Sequence, residues 1–471
     1  MNILEKIIIY FTSVILTLSP TPKYTEGIVG QPQNFLPSQA QTPNDRTISR
    51  MIFRGLFKYD NYGALQPDLA DTWSISPDGL VYTIKLKENN FWTNGKRITS
   101  DDLIYTSFKV NDLSGVATDK VDELTVRYTL PNRYAPFLNL MTVGIMPSQS
   151  EEKVDPIFPV SSGPFRVISV EKVGGLVKKV TLHNSETNLR KLVFRYYKTE
   201  DDLNLAIKLA EIDGYTSEAE NPNENFEDHK FPLQGVYYAL FFNQRNEKFQ
   251  DPALRINIAK ALNTNHVIGN KGIPVEGPIS RSAFTSSKLK FNIYDENFSI
   301  DMSTKDFKLT IPDLPIHRDS AQLIKSLLKD KLGIKVEIIA VQPENFIKEI
   351  VEPRNFEVLL YGQEVSRDPD RYVLWHSEQK DPPGLNITGF KHVRADRALE
   401  EGRKELETSK RTLHYEEFER VFSEQVPAIF LYHPFVHHYV TSHIKGIGEK
   451  YTYTYVDRFL DFYNWTRLDT N

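Results

Sequence analysis

Apolar and polar positions alternate most regularly between residues 76 and 108. Asp78-Gly79 is a turn dipeptide, since glycine tolerates the positive φ of a tight hairpin. Val81, Thr83, Lys85 and Lys87 then alternate with Tyr82, Ile84, Leu86 and Glu88, a period of two that predicts a strand with one face on a core. Asn94-Gly95 is a second turn. Thr99 and Asp102 have the spacing of a capping box, so a helix is expected to follow, with Leu103, Ile104 and Phe108 on one side.

The same mixture continues along the chain. Gly174-Gly175 closes a hairpin with arms 167–173 and 176–182. "TEDDLNLAIKLAEIDGY" predicts a helix ending near Gly214, and "GVYYALFFN" a strand buried on both faces. Asp251 and Pro252 are an N-cap and first residue for "QDPALRINIAKALN". "RDSAQLIKSLLKDKLGIKVEIIAV" is a helix closed by Gly333 and then a strand, an α/β unit. "NFEVLLYG" is a further strand. The stretch 394–426 is helical, with glutamates beside lysines and arginines on a solvated face.

A chain of 471 residues suggests two or three domains. A net charge of −5 gives no basic footprint for nucleic acid. The absence of cysteine removes disulfides, thiolate nucleophiles and thiolate metal sites. Lys6 precedes a mostly apolar run, Ile7 to Leu18, and then Pro20 and Pro22. Such a run is short for a membrane span and suits a signal-peptide core, so export is expected, with residues 1–23 cleaved or kept as an anchor.

Catalytic patterns are missing from the sequence: no P-loop, no dinucleotide fingerprint, no G-x-S-x-G elbow, no H-E-x-x-H helix. His433 and His437 would share a face of one strand, where imidazoles can bind nickel or copper. Their aromatic and apolar neighbours favour a structural strand instead. The residues therefore describe an exported α/β binding protein better than an enzyme.

Residues 65–108, "LQPDLADTWSISPDGLVYTIKLKENNFWTNGKRITSDDLIYTSF", closely resemble the signature region of the extracellular solute-binding proteins of the peptide/nickel-binding family, which serve ABC importers. "SSGPFRVISV", "KLAEIDG", "LFFNQRNEKFQDPALRINIAKALNTNHVI", "NFEVLLYGQEVSRDPDRYVLWHS" and "NITGFKHVRADRALEEGR" resemble later family segments, in order.

The resemblance implies a periplasmic-binding-protein-like, two-lobed α/β fold with a hinge and a small extra domain. The first lobe would comprise 24–57, 155–246 and 432–471; the small domain 58–154; the second lobe 247–431. A peptide or other small solute would be enclosed between the lobes of a monomer and delivered to membrane permease subunits, with no cofactor, catalytic group or metal. The implied ligand residues are Gln31, Asn34, Tyr361, Gly362, Gln363, Glu364, Val365, Ser366, Asp368, Trp375, Asn386 and Tyr432. Gly362 would let a ligand backbone come close. Family members commonly hold the ligand's amino terminus with an aspartate before the Asp-Pro-Asp; here Val365 falls near that position, and Glu364 is the candidate substitute. Gln31 and Gln33 stand where glutamates are frequent. Asp368 and Asp370 have a second reading as caps of a helix starting near Arg371, and Trp375 a second reading as core. Alternatives from other classes are a metal-chelate or oligosaccharide binder on the same fold, a hydrolase, and a chaperone or adhesin.

Overall fold

The computed structural model describes residues 22–148, 155–218, 220–279, 284–285 and 289–468. Most of the expected N-terminal export segment, including the apolar run, lies outside them. Among the described residues no helix is long and apolar enough to cross a membrane.

Three larger sheets organise a two-lobed α/β fold. In the first, Lys23–Val29 pairs in parallel with Lys191–Tyr197 on one side and Gly214–Ser217 on the other. The sheet continues through Leu176–His183 to Arg166–Val173, and in the other direction through Tyr432–Thr441 to Phe226–Asp228. The second sheet has the order Val336–Val341, Phe307–Pro312, Val358–Glu364, Val236–Phe242, Ala428–Phe430. The third joins Ala70–Ile75, Val81–Leu86, Thr125–Thr129 and Ala117–Lys120; its core is continuous with that of the first sheet.

The strand Val236–Phe242 is buried on both faces, as its sequence predicts. Leu240 and Phe242 enter one core of the second lobe; Tyr237, Ala239 and Phe241 enter the other. Placing it in the first lobe was wrong, because it pairs with Val358–Glu364 throughout. The chain therefore crosses from the first sheet to the second at 233–236 and returns at 431–432. Both crossings are held by backbone hydrogen bonds: Leu233 N donates to Pro434 O at 2.8 Å, and Leu431 N to Tyr238 O at 2.9 Å.

Local expectations hold with three corrections. The turns at Gly79 and Gly95 have φ of +74° and +82°, and Tyr82, Ile84 and Leu86 are buried. Ser100–Lys109 opens with the Thr99/Asp102 capping box, yet Phe108 is 80% exposed. It lies five residues after Leu103, about 140° round the helix. The helix expected to end near Gly214 is Glu200–Lys208; the chain then turns through Ala210 at φ +52°. Gly214 instead lies in a strand, where a Cβ would come within 2.0 Å of the Tyr24 hydroxyl. The helical stretch 394–426 is two helices, Val393–Lys404 and Thr408–Gln425, packed on each other.

Candidate functional site

The lobes meet around two elements. From the first comes Pro43–Ile52, a helix started by Pro43 and by the Thr42 side chain, which accepts from Asp45 N. Arg46 and Arg50 are one turn apart on its exposed side. From the second comes the end of Val358–Glu364 and the loop after it. Glu364 faces Arg46 with two hydrogen bonds, at 3.2 and 3.3 Å, and both side chains stay accessible, 67% and 44% exposed. Arg50 donates to the Thr454 hydroxyl at 3.2 Å. Beside them the Tyr455 hydroxyl donates to Glu218 at 2.7 Å. Tyr361, half-buried, stacks on Phe346; burial raises its pKa, and the Glu364 charge raises it further. This interlobe patch joins acid, guanidinium and aromatic groups without a catalytic constellation.

Gly362 is filled from within. The Tyr238 ring lies over it, so close that a Cβ would meet the ring at 2.9 Å, and Tyr238 stacks on fully buried Tyr432 with centroids 5.1 Å apart. The missing Cβ makes room for a neighbouring strand's side chain, not for a ligand, and Tyr432 lies beneath the surface.

The loop 365–372 clasps the lobes together. Arg367 reaches into a cage of Tyr59, Tyr451 and Tyr453, 4.5–5.5 Å from the ring centroids, and pairs with Asp457 at 3.2 Å, both under a tenth exposed. Asp368 is buried in a two-pronged pair with Arg411 at 2.6 and 2.8 Å and accepts from Asn139 Nδ2 at 3.1 Å. Burial works against the Arg411 charge, but Asp368 outweighs it and pushes its pKa up. Ser366 Oγ donates to the Asp368 carbonyl at 2.9 Å. Val365 is buried, its N–H donating to Gly235 O at 2.9 Å and its carbonyl accepting from the Tyr453 hydroxyl. Gln363, also buried, accepts from the Tyr237 hydroxyl at 2.8 Å.

Four further expected ligand residues have structural work. Trp375 is core, packed against Phe422 at 4.7 Å. Asn386 is fully buried and its amide donates to the carbonyls of Trp375, His376 and Phe390. Gln31 braces the first sheet, donating to Val177 O and accepting from Val177 N. Asn34 accepts from Leu36 N and shapes the turn before the arginine helix. Of the twelve residues, Glu364 and Tyr361 stand in the patch between the lobes. Arg46, Arg50 and Arg367 were missed. Arg46 and Arg50 belong to no motif in the sequence, and Arg46 meets a partner 318 residues away.

The histidine strand is structural. His433 Nδ1 lies 2.7 Å from Val236 O and His437 Nδ1 2.7 Å from Asp228. Among the described residues no three His, Cys, Asp or Glu side chains gather in a metal-binding group. His438 and Arg458 surround buried Glu26. Burial alone would raise that carboxyl, but Arg458 at 2.5 Å and then His438 hold it at about 2.

The model of the bacterial extracellular solute-binding proteins, family 5, matches residues 64–382. The chain belongs to this family. Among its relatives, the oligopeptide-binding protein AppA of Bacillus subtilis is 22% identical, over 89% of this chain and 88% of that protein. The fold matches the ABC transporter substrate-binding protein CtaP of Listeria monocytogenes at a TM-score of 0.80, with 20% identity over 94% of this chain and 99% of that one. It also matches NikZ of Campylobacter jejuni, solved with Ni(L-His), at 0.73, with 20% identity over 95% and 100%. The fold is thus that of the periplasmic binding proteins, and the family is one of extracellular solute binders, not of enzymes.

Proposed function

We propose that this chain is the substrate-binding component of an ABC importer and captures peptides between its lobes. Family membership and relatives named for oligopeptide and di/tripeptide binding support the ligand class. The crossings at 233–236 and 431–432 serve as the hinge, and the closed monomer is what the permease subunits recognise. Residues 1–22 direct export, whether cleaved or kept as an anchor.

The observation that carries this reading is the Arg46–Glu364 pair, one residue from each lobe, opposite in charge and still open to solvent. An exposed pair of this kind contributes only about 0–1 kcal/mol, so a ligand ammonium can replace Arg46 on Glu364 at little cost. A charge-assisted bond formed as the lobes shut is worth more, about 1.5–3 kcal/mol.

Calorimetry with tri- to pentapeptides tests this, with their N-acetylated forms, a nickel–histidine chelate and oligosaccharides alongside. Peptides with free amino termini are expected to bind. N-acetylation should weaken wild type about tenfold, roughly 1.4 kcal/mol, and leave Glu364→Gln unaffected. Binding of the chelate or a sugar with no binding of any peptide would overturn the ligand class. An equal acetylation penalty in both proteins would remove Glu364 from the site.

A further inference from the structure

The first sheet carries a second feature, away from the interlobe patch. Its Thr25 face is covered at one end by the helix Glu200–Lys208, where Leu203 packs so closely over Gly27 that a Cβ would meet it at 2.5 Å. Beyond that cover the face forms a basin of about 480 Å³. Three cross-strand rows run across this face, Lys23 and Lys191 of the third lining the basin itself. The floor row is Ser169, Thr181, Val193 and Thr25, register partners in turn. On one side lies Glu171, Lys179 and Arg195, where acids neutralise bases: Lys179 meets Glu171 at 2.7 Å, and Arg195 meets Glu211 at 2.8 Å.

The row on the other side is different. Arg166, His183, Lys191 and Lys23 are register partners across four adjacent strands, with no acid among them. Among the described residues, none of these four side chains has a carboxylate partner, and Lys178 on the basin wall has none either. Like charges directly opposite on neighbouring strands are destabilising, because the side chains stand about 5 Å apart. The local field is felt by His183, whose pKa is lowered by burial and then by Arg166, Lys191 and Arg190. Lys191 directly opposite Lys23, with Arg166 two strands away and the hydroxyls of Ser169, Thr181 and Thr25 on the floor beside them, gives positive charge without a carboxylate partner, a setting that suits an anion.

We infer that this basin is a docking site for anionic phospholipid headgroups and that it holds the first lobe against a membrane surface. The choice of occupant comes from chain continuity. Lys23, a member of the row, follows Leu18, the end of the apolar run, by five residues. Fully extended, those residues span at most about 18 Å. A basic cluster that close to an apolar segment lies within reach of any headgroups that segment meets, and each such cation adds about fivefold to binding, equivalent to about 1 kcal/mol. The inference rests on the N-terminal segment being kept as an anchor and is independent of what the lobes enclose.

Co-sedimentation of the full chain with phosphatidylcholine vesicles, with or without one third phosphatidylglycerol, tests it against the Lys178→Gln/Lys191→Gln variant. Wild type should prefer the anionic vesicles, and added salt should weaken that preference. The variant should lose about 25-fold of the preference while binding neutral vesicles as before. Its thermal midpoint should not fall, since neutralising repelling neighbours costs no stability. Equal binding to both vesicle types, or a variant that keeps the preference, would overturn the inference. So would a variant that melts earlier, since the lysines would then be satisfied within the fold. Millimolar inorganic phosphate that binds without vesicles and abolishes the preference would reassign the basin to a free anion.

Discussion

His317, near the start of Pro315–Leu332, shows how one side chain couples burial to pH. It is 3% exposed, its ring is 5.2 Å from Tyr238, and neither ring nitrogen has a hydrogen-bond partner among the described residues. Burial lowers its pKa to about 4. The neutral form is therefore the folded form, while the unfolded chain titrates near 6.5. Its contribution is present above pH ~6.5 and is lost as pH falls towards 4, up to about 3 kcal/mol. Urea denaturation of His317→Leu should show a flatter decline between these pH values than wild type; an identical decline would place the sensitivity elsewhere. Nothing in the local sequence marked this histidine. By contrast, the cap and core readings of Asp370 and Trp375 were legible, because a turn before a short helix and a tryptophan on its inner face are local facts. Asp370 Oδ1 does accept from Tyr372 N at 3.0 Å. Glu364 was legible only through the family resemblance, as the substitute for a missing aspartate in the loop after the strand; its partner Arg46 was not, because sequence spacing carries no information about which helix face meets the other lobe.

The loop 365–372 is the element whose role changed most. Read as a polar turn on a rigid strand, it looked like ligand surface. In the structure its side chains bind the opposite lobe and the small domain: Arg367 to Asp457 and Tyr59, Asp368 to Asn139, and Arg403 to both Asp370 and the Tyr134 ring. These partners come from distant stretches of chain, so only the folded arrangement reveals them. Such contacts exist only while the lobes are together, so they bias the protein towards closure. Arg367→Met keeps the stem and removes the ion pair and ring contacts. Asp457 retains the N–H groups of Tyr453 and Thr454 at 2.7 and 2.8 Å, so no bare buried carboxylate is left. Peptide affinity should fall about thirtyfold, equivalent to ~2 kcal/mol, mainly through faster dissociation. Unchanged affinity and dissociation rate would show that the clasp does not report on closure.

At the scale of the whole molecule, the two-lobed architecture was legible because many ordinary elements occur in one order, each carrying its own turn or cap. The lobe boundary was less so. A strand buried on both faces looks the same whichever sheet it joins, and Val236–Phe242 was assigned to the wrong one for that reason. Short crossings at 233–236 and 431–432, with Gly272–Pro274 paired to Tyr432–Pro434 beside them, connect the sheets among the described residues, and groups from both lobes converge on the patch next to them. A protein built this way should change shape when it takes its ligand. The direct measurement is small-angle X-ray scattering of the monomer, with and without a peptide whose saturation calorimetry has established. The radius of gyration is expected to fall on saturation, towards the ~23 Å of a compact chain of this length. A bound peptide with an unchanged radius of gyration would contradict capture by closure of the two lobes.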